Sequence, residues 1–286
     1  MASFLDTIRP FLPARFRERR PVVPVVRLVG AIGAVSPLRP GLSIASCAAA
    51  LERAFAVKGA KAVAIVVNSP GGSPVQSHLI YRRIRSLSLE KKLSVLVFVE
   101  DAAASGGYMI ACAGDEIIAD PSSIVGSVGV VSAGFGLDRL IERYGVDRRV
   151  HTTGPRKAML DPFRPENPDD IVRLKAIQSD IFTAFSDLVA ERRGTKLTKT
   201  REELFTGDIW AGRAALDLGL VDAIGDLRTV LRARFGAKVR MPVMPLARPG
   251  FLARLLGRDP TIGSLIDPGQ AIAAVEERSL WARLGL

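Results

Sequence analysis

Ser105 has the surroundings that a serine nucleophile needs. It lies in Ala102–Gly107, after three alanines and before two glycines, where a predicted strand passes into a predicted helix. Small neighbours let a substrate backbone come close, and a helix start offers N–H donors and a favourable dipole for a developing anion. The nucleophile elbow of α/β-hydrolases presents its serine in the same way, although the GxSxG pattern is absent here. The alternative is a serine that caps an alanine-rich helix.

A serine nucleophile also needs a base, and the sequence offers three candidates. His78 lies within a predicted helix, and His151 ends an apolar segment. Lys157 is the better candidate because the chain has nine lysines against 31 arginines, and lysine, unlike arginine, can lose its proton. Serine–lysine pairs are an established alternative to the histidine triad. A solvated loop lysine is the alternative for Lys157, and His151 is the second choice as base.

A glycine-bearing loop, Asn68–Gly72, follows another predicted strand. Gly71 and Gly72 have no side chains in the way, so their backbone N–H groups suit an oxyanion hole. A plain tight turn is the alternative, since Gly-Gly also permits positive φ angles. The loop is not a P-loop and lacks the GxGxxG pattern of dinucleotide-binding proteins.

The apolar patterns predict the elements that bring these loops together. Ala62–Val67 and Ser94–Val99 are short continuous apolar runs, typical of strands buried in a parallel sheet. Such sheets bind ligands at the carboxyl ends of their strands, where residues 68–73 and 100–107 would both lie. Further predicted elements are helices at Leu42–Val57, Pro74–Ser88, Tyr108–Ala113 and Asp169–Arg193, and a strand at Glu116–Ala119. We therefore predict an α/β fold with a mainly parallel sheet and flanking helices.

The composition excludes several other classes of protein. The chain has 286 residues, of which 48% are hydrophobic and 24% charged, so most of it is not disordered. Cys47 and Cys112 are expected to be unpaired core residues, and two cysteines and two histidines at these spacings build no metal site. The net charge of +11 comes without a nucleic-acid-binding motif. We expect no nucleic-acid partner, and weak attraction to anionic membranes instead.

Three regions are predicted along the chain. Residues 1–20 are interpreted as a flexible basic arm, residues 21–235 as the catalytic domain, and residues 236–286 as an amphipathic extension for oligomer or membrane contact. The extension contains two apolar pieces, Phe251–Leu256 and Ala271–Leu284. No signal-peptide core or membrane-spanning segment is visible, so we expect a protein that is cytoplasmic or peripheral to the membrane.

Taken together, four segments resemble the A-type signal peptide peptidase (protease IV) family of serine peptidases, in its short single-unit form. They follow the family's order and span about residues 24–235. The resemblance implies a fold like that of the crotonases and the Clp protease. The segments are VVNSPGGS at 66–73, EDAAASGGYMIACAGDEIIADPSSIVGSVGV at 100–130, GPRKAMLDPF at 154–163 and FTGDIWAGRAALDLGLVDAIGD at 205–226.

The resemblance also implies a role for each candidate residue. Ser105 would be the nucleophile and Lys157 the general base, with Ser127 orienting the lysine amine. Gly71 or Gly72, together with the amide of Gly106, would form the oxyanion hole.

The same resemblance implies the substrates and partners. These are extended peptides rich in apolar or small residues, such as signal-peptide remnants, and further copies of the chain in a ring-like homo-oligomer, with no cofactor. Two other functions stay open. One is a crotonase-like acyl-CoA enzyme that relies on Glu100 or Asp101, and the other is a catalytically idle scaffold that binds peptides.

Overall fold

A mainly parallel sheet runs through the part of the chain that the structure describes. The structure is a computed structural model that describes residues 20–33, 41–154, 156–246 and 278–286. Within these ranges the strands are β1 (Val25–Val29), β2 (Val63–Ser69), β3 (Val95–Ala104), β4 (Glu116–Ala119), β5 (Ile124–Gly126), β6 (Ile209–Ala211), β7 (Ala223–Ile224) and β8 (Val243–Met244).

Helices connect and cover these strands. They are α1 (Ile44–Phe55), α2 (Pro74–Lys91), α3 (Gly106–Ala111), α4 (Asp138–Arg143), α5 (Pro168–Arg193), α6 (Arg201–Leu204), α7 (Gly212–Asp217) and α8 (Leu227–Phe235), with a 3₁₀ turn at Gly194–Lys196. Among the described residues, no helix is long and apolar enough to cross a membrane.

The sheet has the strand order β6-β5-β3-β2-β1-β8, and β4 joins it between β3 and β7. All pairs are parallel except β5 with β6. The central strand β3 changes partner along its length: Leu96–Val99 pair with β4, and Ala102–Ala104 pair with β5. The end of β3 therefore lies beside the end of β5.

The core lies on both faces of the central strands. Every residue of β2 and the first five residues of β3 are buried, as expected for strands covered by helices on both sides. On one face they pack against α1, α2, α3 and the second half of α5, and on the other against α8. The predicted α/β fold with a mainly parallel sheet is confirmed.

The observed elements refine the predicted ones. Strand β3 continues past Val99 to Ala104, because its three buried alanines pair with β5; of the polar residues between, Glu100 is half-buried and Asp101 is exposed. Strand β8 and Val239 lie beyond residue 235 and pack against the sheet, so the packed unit extends to at least Met244. The three-region division stays a prediction. Residues 1–19 and Phe251–Leu256 lie outside the described residues.

Candidate active site

Ser105 forms the turn between β3 and α3. Its backbone has φ 51° and ψ −122°, a conformation that residues with a Cβ rarely adopt. Its N–H donates to the Gly126 carbonyl at 2.8 Å, which continues the pairing of β3 with β5. Its carbonyl accepts from the N–H groups of Tyr108 and Met109 at 2.9 and 3.0 Å. The side chain makes no capping hydrogen bond to α3, so the hydroxyl does not serve as a helix cap.

The two glycines after Ser105 allow close packing of this turn. A Cβ on Gly106 would lie 2.3 Å from the Ser77 Oγ, and one on Gly107 would lie 2.7 Å from the Ser69 carbonyl oxygen. The start of α3 thus rests directly on β2 and α2. Larger residues would push the turn away, so these glycines fix the position of Ser105.

The Asn68–Gly72 loop lies against the Ser105 turn. A Cβ on Gly71 would be 2.8 Å from the Ser105 Cβ and 3.0 Å from the Gly106 nitrogen. On its other side the loop is held by Ile32, whose N–H donates to the Gly71 carbonyl at 2.8 Å. The two loops therefore meet at one edge of the sheet.

The three candidate oxyanion amides differ in their hydrogen bonding. The Gly71 N–H donates to the Ser69 Oγ at 3.2 Å. Within the described ranges, neither Gly72 nor Gly106 donates its N–H to an acceptor. Gly106 is the first residue of α3, where a helix has no internal acceptor for the amide. The amides of Gly72 and Gly106 are thus the pair that is available to a ligand.

Ser127 follows β5 and lies close to the Ser105 turn. Its φ is 54°, and its N–H donates to the Asp208 carbonyl at 2.6 Å. The parallel pairing of Ala104 with Gly126 places the next residue of each strand, Ser105 and Ser127, at the same sheet edge. Both serines are half-buried.

A cavity of about 1010 Å³ opens at this edge and is lined by both serines. One helix, α5, forms a long wall with an apolar part near the sheet. Further residues come from the 70–74 loop, residues 127–131 and residues 205–209. The apolar side chains of the lining include Met109, Val130, Ile181, Phe182, Phe185 and Phe205.

None of the candidate bases lines this cavity. Lys157 is exposed in the turn at 156–160, where its N–H donates to the Gly154 carbonyl at 3.0 Å. His78 and His151 are exposed as well. The structure therefore brings the predicted nucleophile, the second serine and the glycines together, but it brings none of the three predicted bases to them.

The acidic residues of the acyl-CoA alternative have other partners. Arg27 donates to Glu100 at 2.6 Å, and the Asn68 side-chain amide donates to Asp101 at 2.6 Å. Neither carboxylate lines the cavity. Since such an enzyme needs its acid–base group inside the cavity, within reach of the substrate, this arrangement argues against the alternative.

The cysteines are unpaired core residues, as predicted. Cys47 and Cys112 are both free and buried. Burial raises the pKa of Cys112 to about 12, so the thiol is protonated and a poor nucleophile. Within the described residues there is also no cluster of histidine, cysteine and acidic side chains that could hold a metal ion.

The sequence interpretation missed the contribution of α5 to the cavity. It predicted the helix but assigned no role to Phe182 and Phe185. Their spacing of three residues places both on one helix face, which was a detectable signal. It also left open what Leu280 and Leu284 contact, and both line the cavity.

Comparison with known proteins identifies relatives that cover most of this chain. The family model described as "Peptidase family S49" matches residues 88–239, which is more than half of the chain. A Brucella abortus protein named "Na(+)/H(+) antiporter NhaA" is 53% identical over 291 aligned positions, covering 98% of this chain but 39% of its own length. The chain thus spans well under half of that relative's length.

Two further matches are more distant. "Serine protease SPPA, chloroplastic" of Arabidopsis thaliana is 31% identical over 76% of this chain and 34% of its own. A solved structure of the 1510-N membrane-bound stomatin-specific protease has 16% identity and a TM-score of 0.46, covering 81% of this chain and 96% of that one. On the extent of the family match, this chain belongs to peptidase family S49.

Proposed function

We propose that this chain is a serine peptidase that forms an acyl-enzyme on Ser105. The observation that carries the proposal is the Ser105 turn, whose hydroxyl caps no helix and which lines the same cavity as Gly72 and Gly106, the two glycines with available amides. The cavity next to it, about 1010 Å³, is at the upper end of the usual range for ligand sites and has room for a peptide.

In the proposed reaction, the Ser105 Oγ attacks a peptide carbonyl while the neutral Lys157 amine takes the hydroxyl proton. The carbonyl oxygen becomes an oxyanion, which accepts hydrogen bonds from the amides of Gly72 and Gly106. The resulting lysine ammonium then protonates the leaving amine as the C–N bond breaks. Water attacks the ester in the same way, which releases the acid and restores the free hydroxyl.

Ser127 is the residue we propose to orient the lysine amine. It lines the same cavity as Ser105, and its hydroxyl makes no side-chain hydrogen bond within the described residues. A hydroxyl can donate to a neutral amine and accept from an ammonium, so it suits both states of the base.

A second copy of the chain is the proposed source of the base. Lys157 is exposed and outside the cavity, and the segment that carries it, residues 131–163, leaves large apolar side chains in solvent. Phe135 is 85% exposed and Tyr144 is 73% exposed. Exposed apolar surface of this kind is typical of an interaction site. In a homo-oligomer, segment 131–163 of one copy would bring its lysine to Ser105 of the next.

The proposed substrates are peptides with apolar side chains. The wall formed by Phe182, Phe185 and Phe205 favours such side chains through burial of apolar surface. The backbone after β5, at residues 127–131, lines the cavity and is suited to pair with an extended peptide.

The test is covalent labelling followed by mass spectrometry. A fluorophosphonate phosphonylates an activated serine with loss of fluoride and requires no knowledge of the natural substrate, so we expect one adduct, on the peptide that contains Ser105. Ser105→Ala should lose the adduct and all hydrolysis of casein. Ser122→Ala is the control, because Ser122 is exposed and outside the cavity, and it should keep both. Labelling of another serine, or casein hydrolysis by Ser105→Ala, would refute the proposal.

The assignment of the base has its own test. Lys157→Arg keeps the charge but cannot supply a neutral amine, so kcat should fall by roughly 10²–10⁴-fold, the usual contribution of a general base. Lys58→Arg, at an exposed position outside the cavity, should retain wild-type kcat. Near-normal turnover by Lys157→Arg would contradict the assignment.

A further inference from the structure

Asn68 is a buried polar residue near the end of β2 that the proposed reaction does not use. Its side chain is paired at both ends. The Nδ2 group donates to the Asp101 carboxylate at 2.6 Å, and the Oδ1 atom accepts from the Ala102 N–H at 3.2 Å. Its backbone carbonyl accepts from the Gly30 N–H, just after β1, at 2.9 Å. Asn68 is only 9% exposed, so it joins β2 to β3 inside the sheet.

The side chain of Asn68 lies where the pairing of β2 with β3 changes register. The residue before Asn68 pairs with Val99, and the residue after it pairs with Ala103. One residue of β2 therefore faces three residues of β3, at 100–102, which is two more than a regular ladder needs. Such a bulge redirects the strand that contains it and interrupts the ladder. Within this bulge the Asn68 side chain supplies the acceptor for the Ala102 N–H.

Both loops of the candidate active site leave the sheet just after this bulge. On β3, Ser105 comes three residues after Ala102. On β2, Gly71 comes three residues after Asn68. The two loops then touch, because a Cβ on Gly71 would lie 2.8 Å from the Ser105 Cβ. The register at the bulge thus sets where the Ser105 hydroxyl lies relative to the Gly72 amide.

We propose that Asn68 is a positioning residue for the reaction at Ser105. Its side-chain amide holds the bulge in β3, and the bulge holds the hydroxyl against the oxyanion amide of Gly72. This inference rests on the proposed peptidase function. Asn68 does not line the cavity, so it acts through Asp101 and Ala102. Its loss should therefore slow the chemical step and leave peptide binding unchanged.

The decisive variant is Asn68→Asp, which keeps the size of the side chain but replaces its N–H donor by a second carboxylate. Two facing carboxylates repel each other, and Asp101 loses its donor, so the bulge should shift. We expect kcat to fall about 100-fold with KM unchanged, because a displacement of about 1 Å near the reacting atoms costs this much. An unchanged kcat would overturn the proposal.

Asn167→Asp is the matched control. Asn167 is exposed and outside the cavity, and its side-chain oxygen accepts the Asp169 N–H at the start of α5. An aspartate accepts the same hydrogen bond, so kcat and KM should equal those of the wild type.

A second substitution should restore what the first one removes. In Asn68→Asp/Asp101→Asn the donor and the acceptor are exchanged, so the amide at position 101 donates to the carboxylate at position 68. The other oxygen of that carboxylate accepts the Ala102 N–H, and kcat should return to near the wild-type value. Asp101→Asn alone should also keep kcat, because its amide oxygen still accepts from Asn68. A double variant as slow as Asn68→Asp would overturn the proposal.

The kinetics of covalent labelling separate positioning from a merely structural role. With fluorophosphonate in excess, a displaced nucleophile reacts more slowly but to completion, whereas a partly unfolded protein reacts at the normal rate to a lower final extent. We expect the slow, complete reaction for Asn68→Asp. Asn68→Ser, which adds no charge, should behave in the same way, and it provides the test if the added carboxylate unfolds the chain. A normal rate with a reduced extent would overturn the proposal.

Hydrogen exchange distinguishes failure of this inference from failure of the proposed function, because it needs no reaction at Ser105. The Ala102 amide should be protected in the wild type, exchange faster in Asn68→Asp and be protected again in the double variant. A wild type without an adduct on Ser105 would remove the proposed function. Unchanged exchange of Ala102 in Asn68→Asp would show that Asn68 does not hold the bulge, and would remove this inference alone.

Discussion

At the level of single residues, the surroundings of Ser105 hold its backbone in a strained conformation. A serine with φ 51° and ψ −122° costs about 1–3 kcal/mol relative to a relaxed backbone. The cost is tolerated because the Ser105 N–H is tied to Gly126 on one side and its carbonyl to the first turn of α3 on the other. Strain of this kind is found where a side chain must be presented for chemistry.

Replacing Ser105 by glycine should therefore stabilise the fold. Glycine adopts positive φ without a penalty, whereas alanine keeps the strain, so Ser105→Gly should be about 1 kcal/mol more stable than Ser105→Ala. Urea unfolding of both variants measures the difference. Ser122, which is not among the residues with positive φ, is the control position, and there the glycine variant should be the less stable one. If the Ser105→Gly protein were less stable than the Ser105→Ala protein, the backbone of Ser105 would not be strained.

At the level of secondary structure, the sequence predicted those elements whose own residues show a clear apolar pattern. The continuous apolar runs predicted β2 and the first half of β3, and the glycine and alanine neighbours predicted the turn at Ser105. Strands β5 and β6 have three residues each, too few for a pattern, and they form through pairing, β5 with the end of β3 and β6 with β5. The prediction that Ser127 belongs to the same site as Ser105 therefore rested on the family resemblance and not on the periodicity of apolar residues.

The position of α5 depends on contacts with residues distant in the sequence, which the apolar pattern of the helix itself does not predict. Arg193, at its last residue, is 3% exposed and pairs with Asp222 at 2.8 Å. Lys196 reaches the same carboxylate at 2.7 Å, and the N–H of Ile117 in β4 donates to it at 2.8 Å. One carboxylate thus joins the end of α5 to the sheet. Because α5 forms the apolar wall, Asp222 indirectly sets the shape of the cavity.

Asp222→Asn should destabilise the fold in a pH-dependent way. Burial alone would raise the pKa of Asp222, but hydrogen bonds from Arg193 and Lys196 outweigh it and lower the pKa below its ordinary value. The stabilisation is therefore complete above the unfolded pKa of about 3.9 and is lost as the pH falls through the lower folded pKa. At pH 7 the variant should lose about 3 kcal/mol, because it leaves Arg193 buried without its counter-ion.

Urea unfolding at neutral pH and at about pH 3 measures this effect, and the gap between variant and wild type should narrow in acid. Asp187→Asn is the matched control, since its pair with Arg201 has side chains 59% and 50% exposed and is worth less than about 1 kcal/mol. A gap of equal size at both pH values would show that the charge of Asp222 does not stabilise the fold.

At the level of the whole molecule, the separation of Ser105 from Lys157 is the main consequence of the structure. The cavity contains the proposed nucleophile and the proposed oxyanion amides, and the exposed segment 131–163 contains the proposed base. The same segment carries exposed apolar side chains such as Leu140 and Val146, 51% and 56% exposed. A contact between copies would bury this surface and complete the site at once, so activity and assembly would be coupled.

Complementation between two inactive variants tests this coupling. Ser105→Ala supplies an intact lysine, and Lys157→Ala supplies an intact nucleophile. The two variants are co-expressed with different tags, and mixed oligomers are purified through both tags. These oligomers should recover between about one quarter and one half of wild-type activity, because that share of sites combines the two intact residues across an interface. Each variant alone stays inactive and serves as the control. Mixed oligomers without activity would mean that the two residues must come from one chain. In a separate measurement, loss of activity when the wild-type protein is diluted would support a site that is assembled across copies.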